Sequence, residues 1–296
     1  MIMSKMPLTE KRNPNTRDID LMDSIGIVRA VNNEDKKVAA AVEKVLPEIA
    51  RAVDAIAKAF MNGGRLGYFG AGTSGRIGIL DASECPPTFG APEDLVQAFI
   101  AGGDRAIKHA VENAEDRADF AREDMKAFNP TGKDAVVSIS ASGNPDYAVE
   151  VLKAAREYGA LTIAVTSNPE AKMKAYADIF INPLVGEEAV TGSSRMKSGT
   201  MQKMVLNLLT TGAMIRIGKT YENLMIDVSV SNKKLYDRAC RIISEITGVD
   251  YLAAEQYLKG SGLKVKTACV MALKNCSKAQ AEALLDANGG ILRKVI

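Results

Sequence analysis

The sequence predicts an α/β protein, a doubly wound parallel sheet followed by a small C-terminal helical bundle. Two observations carry that prediction. Short apolar strand patterns alternate with helical patterns of ten or more residues through the middle of the chain, which requires crossover connections and a parallel sheet covered on both faces. Beyond about Lys233 the strand patterns stop, and short helical patterns broken by turn residues take over.

The elements follow in order. The first sixteen residues are polar, carry two prolines and read as an arm. From Asp20 to about Met61 apolar residues recur at helical spacing, as in "AAAVEKVLPEIARAVDAIAKAF". "GRLGYFGAG" is a strand pattern, and residues 95–102, 134–142, 160–167 and 177–185 are four more. "RAIKHAVENAEDRADFAREDMKAF" and "PDYAVEVLKAAREYG" are helical between them, and "SGTMQKMVLNLLTTGAMIRIG" is a long apolar helix after them. The tail reads as short helices broken by "TGVD", "KGSGLK" and "NGG". The resulting division is an N-terminal arm with helices over 1–56, a sheet domain over 57–232 and a helical domain over 233–296.

Composition limits the function classes. The 296 residues are 47% hydrophobic and 25% charged, ordinary for a globular protein, and no apolar run reaches the roughly 20 residues that span a bilayer. The amino terminus lacks the continuous apolar core of a secretion signal, so a cytoplasmic location is expected. The 38 Lys and Arg are interspersed with 36 Asp and Glu, which gives no electrostatic footprint for nucleic acid. Cys85, Cys240, Cys269 and Cys276 show neither zinc-site nor disulfide spacing and are expected as reduced thiols. His109 is the single histidine and falls in a helical pattern, so a histidine-rich metal site is excluded and acid/base chemistry falls to carboxylates or lysines.

In an open parallel sheet, ligands collect where strands run into helix amino termini. Two segments have that form. One strand runs into Gly70, Ala71, Gly72, Thr73, Ser74, Gly75 and Arg76; another runs into Ser140, Ala141, Ser142, Gly143 and Asn144 before a helix starting near Pro145. Glycines let the backbone approach a ligand, free amides point outward at a helix start, and hydroxyls add donors, a combination suited to phosphate. Each loop alone is equally an ordinary strand-to-helix turn. Neither is a dinucleotide fingerprint or a nucleoside triphosphate loop.

The pair "GAGTSGR" and "SISASGNP" resembles the sugar isomerase domain, a parallel-sheet module that binds phosphosugars and usually dimerises. "GAGTSGRIGILDASECPPTFG", "AGGDRAIKHAVENAED" and "VTGSSRMKSGTMQKMVLNLLTTGAMIRIGKTYENLMIDV", with "TEKRN" near the amino terminus, are more specifically similar to the N-acetylmuramic acid 6-phosphate etherases. The likeness covers nearly the whole chain. It departs at Ser198, where relatives often carry alanine, and at Asn113, where glycine is common.

The resemblance implies cleavage of a lactyl ether by water to give N-acetylglucosamine 6-phosphate and D-lactate, in recovery of cell-wall amino sugars, without metal or redox cofactor. Its two catalytic glutamates fall on Glu84 and Glu115. Glu84, between an apolar helix and Cys85, Pro86 and Pro87, is expected to be buried and to serve as the acid; Glu115 is then the base, though by sequence alone it also reads as a solvated charge.

Ser140, Ser142, Gly143 and Asn144 are assigned to the phosphate, and Gly72, Thr73 and Ser74 to the sugar or a share of the phosphate, with Gly75 and Arg76 beside them. Ser193, Ser194, Arg195 and Lys197 read either as a cation pair for an anionic group or as a helix cap. If the helix begun at Ser74 continues to Glu84, the two stand about 15 Å apart. Either it ends early, or Glu84 serves a phosphate held elsewhere, as across the interface of a homodimer. Two rival functions share the fold: an aldose-ketose phosphosugar isomerase and a non-catalytic phosphosugar sensor.

Overall fold

The computed structural model describes residues 8–230 and 232–296, so the first seven residues of the expected arm lie outside the described residues. The chain divides into two compact units, one of residues 1–83 and 94–210 and the other of residues 84–93 and 211–296. These bounds differ from those expected at 57 and 233. The early helices pack with the sheet rather than apart from it, and residues 211–232 group with the helical tail.

The first unit opens with helices α1 (Ser24–Asp35), α2 (Lys37–Glu43) and α3 (Leu46–Met61). Strands β1 (Leu66–Gly70), β2 (Val96–Ile100), β3 (Ala135–Ile139), β4 (Leu161–Val165) and β5 (Ile179–Ile181) then form one sheet in the order β2-β1-β3-β4-β5. Every pairing is parallel, as the alternation of strand and helix requires. All residues of β1 and β3 are buried, the mark of central strands covered on both faces.

Helices α4 (Gly72–Phe89), α5 (Arg105–Lys108), α6 (Ala118–Phe128), α7 (Asp146–Glu157) and α8 (Lys197–Arg216) connect and follow the strands. Successive side chains point to opposite faces of a strand. On the Phe69 face, Phe69 stacks on Phe99 with ring centroids 4.8 Å apart, and α6 and α7 pack there through Met125, Phe128, Tyr147 and Val151. On the Tyr68 face α4 lies so close that a Cβ on Gly78 would stand 3.1 Å from the Tyr68 Cβ. A buried carboxylate, Asp81, pins α4 to this face. It accepts hydrogen bonds from the Tyr68 hydroxyl at 3.0 Å, the Asn207 amide at 2.5 Å and the Thr210 hydroxyl at 3.2 Å. Burial pushes its pKa up against those donors.

The structure corrects the continuous helix expected over 105–128. It breaks into α5, an irregular stretch and a single turn at Ala114–Asp116 before α6, with His109 exposed and extended. The local cause is Asn113, whose φ of 58° lies in the left-handed region and cannot continue a helix.

The second unit holds the short strands β6 (Thr220–Tyr221) and β7 (Leu224–Met225) and helices α9 (Lys233–Thr247), α10 (Tyr251–Gly260), α11 (Val265–Lys274) and α12 (Lys278–Ala287). Ile243, Leu258, Val265, Cys269 and Leu285 are among its core. Its helix starts are capped where the sequence supplies Asn232, Asp250 and Ser277. All four cysteines are free thiols, three of them buried. Among the described residues no helix is long and apolar enough to cross a membrane.

Lys197 is a second correction, because it is buried and not presented to a ligand. Its ammonium donates to Glu34 at 2.7 Å, with both side chains at most 3% exposed. Burial pushes the Glu34 carboxyl up, but hydrogen bonds from Lys197 and Lys37 outweigh it and hold the pKa at about 2. Lys197→Met, which leaves Glu34 buried with Lys37 as its remaining cation, is expected to lower the unfolding free energy by about 3 kcal/mol, and adding Glu34→Gln recovers much of it. Urea unfolding of the single and double variants measures both. On the same helix, at the next residue and five residues on, lie buried atoms with no partner among the described residues, the Ser198 hydroxyl and both amide atoms of Gln202. Ser198→Ala removes one such orphan, so it is expected to raise the urea midpoint by an amount equivalent to about 1 kcal/mol.

Candidate active site

The sheet order makes the gap between β1 and β3 the place where successive connections diverge, and the crevice beyond the carboxyl ends of those strands is the natural ligand site. A cavity of about 340 Å³ lies there, lined by residues 71–74 after β1, residues 139–142 after β3, Glu115, the N-terminal Thr9 and Glu10, and Gly192 with Ser194.

The first loop is shaped by crowding. A Cβ on Gly75 would stand 2.6 Å from the Gly70 carbonyl oxygen and 2.6 Å from Ile100, so α4 begins hard against the end of β1 only because both positions are glycine. Ser74 and Gly75 donate to the Ala71 carbonyl, which leaves the N–H groups of Gly72 and Thr73 without a partner among the described residues. The second loop is held by its neighbours. Gly143 donates to the Ser140 hydroxyl at 3.0 Å, the Asn168 amide donates to the Ser142 carbonyl at 2.8 Å, and Asn144 accepts from the Lys172 N–H at 3.0 Å. Gly143 has φ +65°, and a Cβ there would stand 2.5 Å from Ala171. The N–H groups of Ala141 and Ser142 and the Ser142 hydroxyl remain unpartnered among the described residues.

The structure therefore brings Gly72, Thr73, Ser74, Ser140, Ser142, Ser194 and Glu115 together around one cavity. Gly75, Gly143 and Asn144 do not line it and instead shape the two loops. Ser193 and the exposed Arg195 also lie outside the lining. The N-terminus of α8 is filled by Glu188, which accepts from the N–H groups of Lys197 and Ser198 at 2.9 Å each. The cap of α8 thus comes from Glu188 and not from Ser193, Ser194 or Arg195, and Lys197 is not a solvated charge. Among the described residues lining the cavity there is no lysine or arginine. Thr9 and Glu10 were missed because an aperiodic polar arm carries no placement signal. They reach the cavity because the Thr9 carbonyl accepts from Gly192 and the Thr16 hydroxyl donates to the Ala189 carbonyl.

Arg76 faces away from the cavity's donors and grips the Glu115 segment instead. Its Nε donates to the Ile107 carbonyl at 2.8 Å, and its Nη2 donates to those of Ala106 and His109 at 2.7 and 3.3 Å. Glu115 sits on the single turn Ala114–Asp116, which begins five residues beyond the last of these carbonyls. The residue is exposed, and partial desolvation of its carboxyl, then the neighbouring Asp116 charge, raise its pKa.

Glu84 departs from expectation: it is exposed, and α4 runs unbroken from Gly72 to Phe89, so Glu84 stands about 15 Å along the helix from Ser74. Of the two geometries open from sequence, the early helix end is eliminated. The helical unit has a larger cavity of about 550 Å³, but its three lysines are spent on carboxylates, Lys219 and Lys266 on Asp227 at 3.1 and 2.7 Å and Lys264 on Glu282 at 2.8 Å.

The fold is a parallel sheet of sugar isomerase type with a helical C-terminal region. Residues 48–155 match the N-terminal sugar isomerase domain of glucokinase regulatory protein, and residues 222–264 match that protein's C-terminal lid domain. A structure described as a phosphosugar isomerase involved in capsule formation from Bacteroides fragilis superposes with a TM-score of 0.50 at 20% identity, covering 64% of this chain and 91% of that one. An N-acetylmuramic acid 6-phosphate etherase of Vibrio vulnificus is 52% identical over 289 residues, 98% of this chain and 96% of the relative. One from Actinobacillus pleuropneumoniae is 50% identical over 294 residues, 99% of this chain and 96% of the relative. The chain belongs to the N-acetylmuramic acid 6-phosphate etherase family.

The electrostatics of Glu115 are directly measurable. Removing the like charge in Asp116→Asn favours the ionised form, so the Glu115 titration midpoint, followed by carbon NMR of its labelled carboxyl, is expected to move to lower pH.

Proposed function

We propose that the protein is a carbon-oxygen lyase that cleaves the lactyl ether of N-acetylmuramic acid 6-phosphate with water, giving N-acetylglucosamine 6-phosphate and D-lactate. Identity of about half the residues over nearly the full length with proteins named for that reaction carries the reading. The site chemistry agrees with it. The amides of Gly72, Thr73, Ala141 and Ser142, with the hydroxyls of Thr73, Ser74 and Ser142, hold the phosphate by neutral donors at two helix starts. Glu10 accepts from sugar hydroxyls.

In the ring-opened sugar the C1 aldehyde acidifies the C2 hydrogen. Glu115 takes that proton, and its raised pKa brings its basicity closer to neutral pH. The C2 electron pair forms the C2–C3 double bond as the C3–oxygen bond breaks. Glu84 protonates the departing lactyl oxygen. Water then adds across the double bond, placing hydroxyl on C3 and hydrogen on C2, so the net reaction consumes one water. None of these steps calls on a redox centre.

An exposed acid three turns from the phosphate loop cannot reach C3 of a sugar held by its own chain. Glu84 therefore acts in the site of a second copy, in a homodimer whose two equivalent sites each combine Glu115 of one chain with Glu84 of the other. The protein works in the cytoplasm, on amino sugars recovered from the cell wall.

The two glutamates separate in heavy water. Glu115→Gln is expected to abolish both lactate release and C2 exchange, whereas Glu84→Gln blocks lactate release yet leaves slow exchange, each loss being about 100-fold or more. Refolding an equal mixture of the two inactive variants regenerates one intact site in each hybrid dimer and restores roughly a quarter of the activity. Wild-type protein that releases no D-lactate refutes the reaction. Exchange that survives only in the Glu115 variant reverses the roles, and a mixture that stays inactive refutes the shared site.

A further inference from the structure

C2 of the substrate carries both the hydrogen that Glu115 removes and the acetamido nitrogen. An acetyl group must therefore lie beside the Glu115 carboxylate. The phosphate loops occupy one side of that carboxylate. A second cavity of about 190 Å³ shares Ala71, Gly72 and Glu115 with the first.

The walls of this alcove suit a small group that is apolar at one end and polar at the other. Ala101, Ala106, Ala110, Val111 and Ala114 supply methyl-sized contacts, and Arg76 is the cation among its lining residues. Arg76 commits Nε and Nη2 to backbone carbonyls, while its Nη1 has no partner among the described residues and offers its hydrogens to an acceptor. Glu112 is exposed. The alcove is ample for the four heavy atoms of an acetamido group.

We propose that this alcove is the subsite for the N-acetyl group, its alanine and valine wall receiving the methyl and Arg76 Nη1 donating to the acetyl carbonyl. The same three bonds that anchor the Glu115 segment then set acyl selectivity, so that reacting carbon and recognised substituent are positioned by one side chain. This rests on the assignment of Glu115 to C2.

Binding of the product and its analogues tests the subsite without requiring turnover. By calorimetry, wild-type protein is expected to bind N-acetylglucosamine 6-phosphate at least about tenfold tighter than glucose 6-phosphate, which lacks the acyl group. Ala110→Leu, at an exposed position on the wall, fills the alcove. It should erase most of that preference while leaving the glucose 6-phosphate affinity within about threefold. Val111→Ala enlarges the alcove and should raise the ratio of N-propionylglucosamine 6-phosphate to N-acetylglucosamine 6-phosphate affinity. Binding without preference in the wild type, or a preference that either variant leaves unchanged, overturns the subsite alone. Failure of all three sugars to bind overturns the proposed reaction as well.

Discussion

The closeness of α4 to the end of β1 is the constraint from which the site is built. A Cβ on Gly75 would stand only 2.6 Å from the Gly70 carbonyl oxygen, and with glycine there the helix starts one residue beyond the end of β1. Its first amides open onto the crevice, its second turn carries Arg76 to the 106–109 carbonyls, and its third brings Asp81 onto Tyr68, Asn207 and Thr210. One backbone contact thus fixes the direction of donors, the anchoring of Glu115 and the seat of α4 against α8. Side chains at positions 70 or 75 would push the helix outward and displace all three together.

Five strands and two phosphate-type loops were legible because their signals are local. A buried parallel strand announces itself as a short apolar run, and the loops as glycine with hydroxyls at its end. The segment from Arg105 to Arg117 was not legible, because its periodicity is helical and what breaks it is not. Carbonyls that could close helical turns are taken by Arg76, about thirty positions earlier, and Asn113 adopts a left-handed conformation that composition does not reveal. Lys197 was misread for the same reason: its partner Glu34 lies 163 positions away, and no local pattern distinguishes a cation aimed at a ligand from one aimed at a buried carboxylate.

The two departures from the family pattern have different physical meanings. Asn113 stands where glycine is common, and its φ of 58° is one that asparagine tolerates better than most residues, so the turn survives the exchange. Ser198 stands where alanine is frequent, and its hydroxyl is buried without a partner among the described residues. The first substitution satisfies the constraint that selects glycine. The second introduces a polar group into a place that offers nothing to it.

Neutral donors around the crevice also bear on why carboxylates suit this chemistry. A lysine or arginine beside Glu115 would stabilise its ionised form and lower its basicity, and among the described residues lining the cavity there is none. The one nearby guanidinium, Arg76, commits Nε and Nη2 to backbone carbonyls, while desolvation and Asp116 raise the pKa of the Glu115 carboxyl. Phosphate recognition by amides and hydroxyls thus leaves the base free to be tuned by burial. In the proposed mechanism, cationic recognition at the same distance would couple substrate binding to a weaker base, whereas neutral donors leave the raised pKa of Glu115 in place.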